Sequence, residues 1–179
     1  MNDYGVVLDP TSIRFIRILP ASVEEVWAFL TESEKRGRWL ASGDMELREG
    51  GGVTLRFVHA DLSSVAEPVP EAYKPYADGV TTQGVITRCE PPRLLAFTWG
   101  GSPGHPSEVT FELSPQDQGT RLVLTHRKLG SRGDMVDVAG GWHVHLGVLS
   151  ARIAGREPGP FWSVLGRVEA EYRQRIPAA

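Results

Sequence analysis

The chain predicts an α+β fold in which a curved antiparallel sheet wraps around a long helix near the carboxyl terminus. Three observations lead there. Residues 80–128 alternate apolar and polar positions in runs separated by turn-length breaks, the pattern of a half-buried strand meander. Trp142, Leu146, Leu149 and Ile153 then step by four, three and four residues, which makes one apolar stripe on a helix. That stripe needs an apolar partner, and the inner face of the meander is the one available.

The elements follow in order. Residues 1–12 read as a loose arm. Ile13 to Leu19 form a strand that Pro20 stops. Ser22 and Glu25 make a capping box, and Val23, Val26, Trp27 and Leu30 give the helix behind it one apolar side. A second short helix covers Glu32 to Arg38. Met45 to Leu47 read as a short strand, with Gly50, Gly51 and Gly52 turning into the next one. Residues 60–79 hold Pro68, Pro70, Pro75, Tyr73 and Tyr76 and form a long loop insertion. Strands resume at Val80–Glu90, Arg93–Trp99, Glu108–Leu113 and Thr120–Lys128. Asp134 is the expected cap of the long helix. Gly140 and Gly141 weaken its first turns and shift its expected start later, and Gly155 ends it. Residues 156–179 supply a proline-stiffened linker and an extra helix carrying Trp162, Leu165, Tyr172 and Ile176 on one side. All of this is expected within a single domain spanning 1–179.

Composition sets the function classes. In 179 residues, 41% are apolar and 23% charged, which suits a globular domain with a sizeable core. A net charge of −3 without a long basic run argues against nucleic acid or an anionic membrane as partner. No stretch reaches the length of a membrane span, and Met1 to Pro10 lack the form of a secretory leader. Cys89 is the lone cysteine, so no internal disulfide can form, and a cytoplasmic location is expected. Two copies could pair through the last helix or an open strand edge, and no residue pattern decides this.

The candidate site comes from the strand exits. Val53-Leu55-Phe57 runs toward His59, Leu95-Phe97 toward Trp99, and Leu122-Leu124 toward His126. Side chains two apart share a strand face, so these three rings are expected to gather at one end of the inner face. Phe57, Phe97, Phe111 and Leu124 would wall a hollow there. His59, Trp99 and His126 would orient a polar head. Trp142, Leu146 and Ser150 would face it from the helix, with Gly147, Ser150, Ala151 and Ala154 leaving room. The helix amino terminus, close to the same mouth, would favour an acidic group on the ligand.

Several segments resemble a known family. Ala21-Ser22-Val23-Glu24-Glu25-Val26-Trp27 is similar to the opening of the START-like superfamily, which includes polyketide cyclases and birch-pollen-allergen-like carriers. Pro91 to Trp99, Glu108 to Leu113, Leu124-Thr125-His126 and Gly141 to Leu146 resemble the family named for the activator of the ninety-kilodalton heat-shock protein ATPase. The likeness runs over about residues 13–176 with the motifs in order. It implies a helix-grip (START-like) fold with an internal cavity under the long helix. The eukaryotic activator carries a further amino-terminal domain that engages the chaperone, for which this chain has no length. Many relatives carry an acidic residue where this chain has Gly147.

Three functions are consistent with these readings. The first is a protein that holds a small hydrophobic or amphipathic molecule, with no cofactor. The second is an interaction module that modulates a chaperone ATPase. The third is a cyclase or hydrolase using His59 or His126 at the mouth, although no residue is assigned as catalytic. A metal site is not expected. His143 and His145 diverge by about half a turn on a helix, and no cysteine or carboxylate spacing completes a set.

Overall fold

In a computed structural model describing residues 3–102 and 104–178, the alternating segments become seven strands of one antiparallel sheet. Met1, Asn2 and Ala179, at the two ends of the expected arm and terminal helix segment, lie outside the described residues. The elements in chain order are β1 (Val6–Asp9), β2 (Ser12–Leu19), α1 (Val23–Thr31), α2 (Ser33–Gly37), β3 (Gly52–Phe57), β4 (Val80–Glu90), β5 (Leu94–Ser102), β6 (His105–Gln116), β7 (Gly119–Arg127), α3 (Arg132–Ile153) and α4 (Phe161–Arg175). The strand order is β1-β2-β7-β6-β5-β4-β3, so the amino-terminal β2 pairs with the last strand and the curved sheet stays unclosed.

Register explains the core. Leu95, Phe111, Leu124 and Phe15 are paired neighbours across four strands, and Phe97, Val109, His126 and Ile13 form the next row. These eight side chains are 0–2% exposed, and α3 covers them with Trp142, Leu146 and Leu149. Burying each large apolar side chain is worth roughly 1.5–3 kcal/mol, so the two rows and the α3 stripe hold sheet and helix together.

Local chemistry sets the helix ends. The Ser22 hydroxyl accepts from the Glu25 amide at 3.2 Å and starts α1. Beyond α2, Arg36 is 1% exposed and its guanidinium donates to the carbonyls of Thr31, Ala41 and Gly43, which ties the two short helices to the chain that follows. Residues 58–79 contain two short 3₁₀ turns, at His59–Asp61 and Glu71–Tyr76. Glu67 in this segment caps α4, accepting from the amides of Trp162 at 2.8 Å and Ser163 at 3.1 Å. Hydrogen bonding from Ser163 is the main cause holding the Glu67 carboxyl below its ordinary range.

Four expectations about the elements are corrected. The amino-terminal arm is not loose: β1 pairs with β2, the Gly5 amide donates to the Tyr172 hydroxyl at 2.8 Å, and Tyr4 packs edge-on against Tyr172. Met45 to Leu47 is not a strand, because a single bridge from Met45 to Val53 is all that forms there. Ser131, not Asp134, caps α3, its hydroxyl accepting from the Asp134 amide at 3.0 Å. The helix also runs unbroken through Gly140 and Gly141. A Cβ on Gly140 would sit 2.6 Å from Glu169 Cγ, so this glycine lets α3 and α4 approach closely.

Candidate functional site

A hollow of about 540 Å³ opens between the exits of β3 and β5, the first half of α3, α4 and the segment 58–79. Its walls are built from the strand and helix periodicities. Phe57 and Trp99 come from strand exits, Gly141, Trp142 and His145 from successive turns of α3, and Phe161, Leu165 and Glu169 from one side of α4. Tyr73 comes from the segment 58–79. The rings touch: Trp99 lies 4.9 Å from Trp142, 5.8 Å from Phe57 and 6.0 Å from His126 between centroids.

The expected site residues separate into three groups. Phe57, His59, Trp99 and Trp142 line the hollow. Phe111, Leu124, His126 and Leu146 do not: all are 0–2% exposed and lie in the packed core. They do point inward, but Trp142 and its helix cover them. Ser150 is also displaced. It sits eight residues beyond Trp142, roughly 12 Å further along the helix axis. Its hydroxyl donates to the Leu146 carbonyl at 2.9 Å, and with Gly147 it lines a second hollow beside Arg17 and His143. His143 and His145 face opposite sides of α3, bonded to Tyr172 and to Trp39 respectively.

His126 has a fixed structural role. The Trp142 indole donates to its Nδ1 at 2.9 Å, so the neutral ring carries its proton on Nε2. That nitrogen is 2.8 Å from the Ser107 hydroxyl, which in turn donates to the Gly100 carbonyl at 2.7 Å. Every link in this chain has a donor and an acceptor. Burial pushes the His126 imidazole down to about 4, so at neutral pH it stays uncharged with both nitrogens engaged. A mouth base at this position is therefore corrected to a buried clamp on Trp142.

The polar groups at the hollow are differently placed. His59 leaves the strand at Phe57 and enters a 3₁₀ turn, where its ring packs 5.7 Å from His145 and 5.1 Å from Phe161. No hydrogen bond reaches its ring among the described residues, and burial holds its imidazole below the ordinary histidine range. His145 Nδ1 meets the Trp39 carbonyl at 2.8 Å and so must donate. Burial first, then the neighbouring His59, lowers it to about 4. At the rim the Tyr73 hydroxyl donates to Glu169 at 2.7 Å, and Arg173 reaches the other Glu169 oxygen at 3.3 Å. Burial and this carboxylate hold the Tyr73 phenol above its usual range. Asp137, also on the rim, has its carboxyl raised by burial and then by the charge of Glu169. Charge of both signs surrounds the place expected for an acidic ligand group, with Arg173 and Lys128 among the lining residues. Ser131 occupies the end of α3, and Asp134, Asp137 and Glu169 place carboxylates around the mouth.

Sequence reading did not find Asp137, His145, Phe161 or Glu169 as wall residues. The stripe on α4 was visible, but its packing angle against α3 was not.

Known proteins place this geometry in context. Residues 20–154 match the profile of the activator of Hsp90 ATPase homolog 1-like protein family. A Bordetella parapertussis protein solved by solution NMR is 47% identical, covering 99% of this chain and 92% of that chain with a TM-score of 0.83. The crystal structure of CalU16 from Micromonospora echinospora is 27% identical over 92% of this chain and 85% of that chain, with a TM-score of 0.66. An Enterococcus faecalis conserved protein of unknown function shares the fold at 18% identity, 98% and 90% coverage and a TM-score of 0.66. No curated protein matches the chain. Among the described residues, no helix is long and apolar enough to cross a membrane.

Proposed function

The chain belongs to the activator of Hsp90 ATPase homolog 1-like family, and we propose that it holds a small hydrophobic or amphipathic molecule in the hollow between β3, β5, α3 and α4. One observation carries the proposal: an aromatic-walled space of about 540 Å³ that bears a few convergent polar groups. Ligand sites have this size and character. Phe57, Trp99, Trp142 and Phe161 would grip the apolar body, while His59, His145 and the rim residues would orient its polar end. The reading does not depend on a homodimer. The lone Cys89 suits a cytoplasmic carrier, which belongs to the same proposal.

Nile red, a neutral apolar dye, tests the reading. Its emission is expected to shift blue and intensify with the wild-type chain, and Trp99→Ala is expected to weaken binding about tenfold by removing a large wall ring. No change in dye emission, with no small molecule retained in native mass spectra, would reject it.

A second reading, modulation of a chaperone ATPase, is favoured by the family match. It predicts that the chain captures the chaperone and raises its ATPase rate. Absence of both ends that reading without touching the first.

A further inference from the structure

Hydrogen-bond acceptors and carboxylates outnumber bases around the hollow, with Arg173 the opposing charge among its described lining residues. His145 is 6% exposed, and its Nδ1–H is committed to the Trp39 carbonyl. A neutral imidazole bonded in that way keeps a lone pair on Nε2, and among the described residues no hydrogen bond reaches that nitrogen. His145 lines the hollow, so this is an acceptor awaiting a donor. Asp137 stands at the rim on α3 with no basic side chain within ion-pair distance among the described residues. Glu169 beside it already takes the Tyr73 hydroxyl and Arg173. The adjoining hollow, which shares Trp99 and Asp137, adds Asp134 and Lys128. Three carboxylates therefore face two bases, and one base is tied to a carboxylate. Trp99, Trp142 and Tyr73 line the same hollow.

We infer that the molecule held here is an organic ammonium: an apolar, ring-bearing body carrying a protonated amine. It would sit with the cation between Asp137 and the rings of Trp99 and Trp142, its apolar body extending along α3 toward His145, which stands eight residues on, roughly 12 Å further along the helix axis. The inference rests on the reading of the hollow as a ligand site and specifies its chemistry. Aromatic faces attract a cation through their negative quadrupole, most strongly for tryptophan, and more so once water is displaced. A carboxylate would meet Asp137, Glu169 and the imidazole lone pair, all unfavourable to it. A neutral hydrocarbon would leave the Asp137 carboxylate at the rim without a counter-charge.

Isothermal titration of the full chain with three naphthalene probes separates these cases: naphthylmethylamine, naphthylmethanol and naphthylacetate, at neutral pH and low salt. The amine is expected to bind about tenfold or more tightly than the alcohol, with the carboxylate weakest. Asp137→Asn, an exposed substitution that leaves the fold intact, is expected to bring amine and alcohol to within about threefold of each other. An amine no tighter than the alcohol, a carboxylate that binds best, or a preference unchanged in Asp137→Asn overturns the ammonium assignment while the apolar site stands. Failure of all three probes to bind overturns both.

Discussion

Behind Trp142, His126 and Ser107 form a chain in which each polar atom meets a partner; in front of it, His59, His145 and Asp137 border a hollow with polar atoms to spare. Both regions mix tryptophan, phenylalanine and histidine, and both draw on strands and on α3, with Phe111 and His126 behind and Phe57 and Trp99 in front. What separates them is completeness. A buried histidine with both nitrogens engaged fixes a core, whereas one with an unmatched lone pair at a cavity wall offers an interaction. Residue type alone would assign the two groups the same task.

Substitution at the two histidines should break the symmetry most strongly. His126→Ala strands the Trp142 indole N–H in the core and opens a void, at an expected cost of about 3–5 kcal/mol in urea denaturation. His59→Ala removes a half-buried ring that bonds to nothing and should cost about 1 kcal/mol or less, while weakening dye binding. Equal costs would erase the distinction.

Acid should sharpen it. The folded-state values of His126 and His145, about 4, lie below the ordinary histidine value of 6.5. Between those limits the unfolded chain binds more protons, so stability is complete above about pH 6.5 and falls as pH drops toward 4. Below that, these groups add no further loss. The contribution of His126 alone is on the order of 3 kcal/mol, read as a flattened pH profile in His126→Gln.

Two glycines on α3 give smaller and opposite effects. Gly140→Ala drives a Cβ into Glu169 Cγ, which Tyr73 and Arg173 hold in place, and should cost about 1–3 kcal/mol while loosening the rim. Gly147 is exposed with nothing within 4 Å of where its Cβ would stand. Gly147→Ala should therefore stabilise the helix by about 0.5–1 kcal/mol, seen as a higher denaturation midpoint.

The strands and the long helix were legible because alternation and the helical stripe are local patterns, and the pairing of β2 with β7 follows once the meander curls around α3. Phe57, His59, Trp99 and Trp142 were readable as wall residues from strand exits and helix phase. His126 was read correctly as inward-facing, yet inward is not the same as open: a side chain from another element decides what remains uncovered. Ser150 failed for a related reason, since helix phase was used without distance along the axis. Glu67 capping α4 and Tyr73 reaching Glu169 join residues almost a hundred positions apart, which no local pattern encodes.

Proton–nitrogen correlation spectra of the labelled chain during titration with naphthylmethylamine test the central claim most directly. The largest shifts are expected at the Trp99 indole, His59, Tyr73 and the backbone around Asp137 and Val138, with Gly147 and Ser150 unmoved. Shifts centred on Gly147 and Ser150, or saturation that leaves Trp99 untouched, would contradict the account.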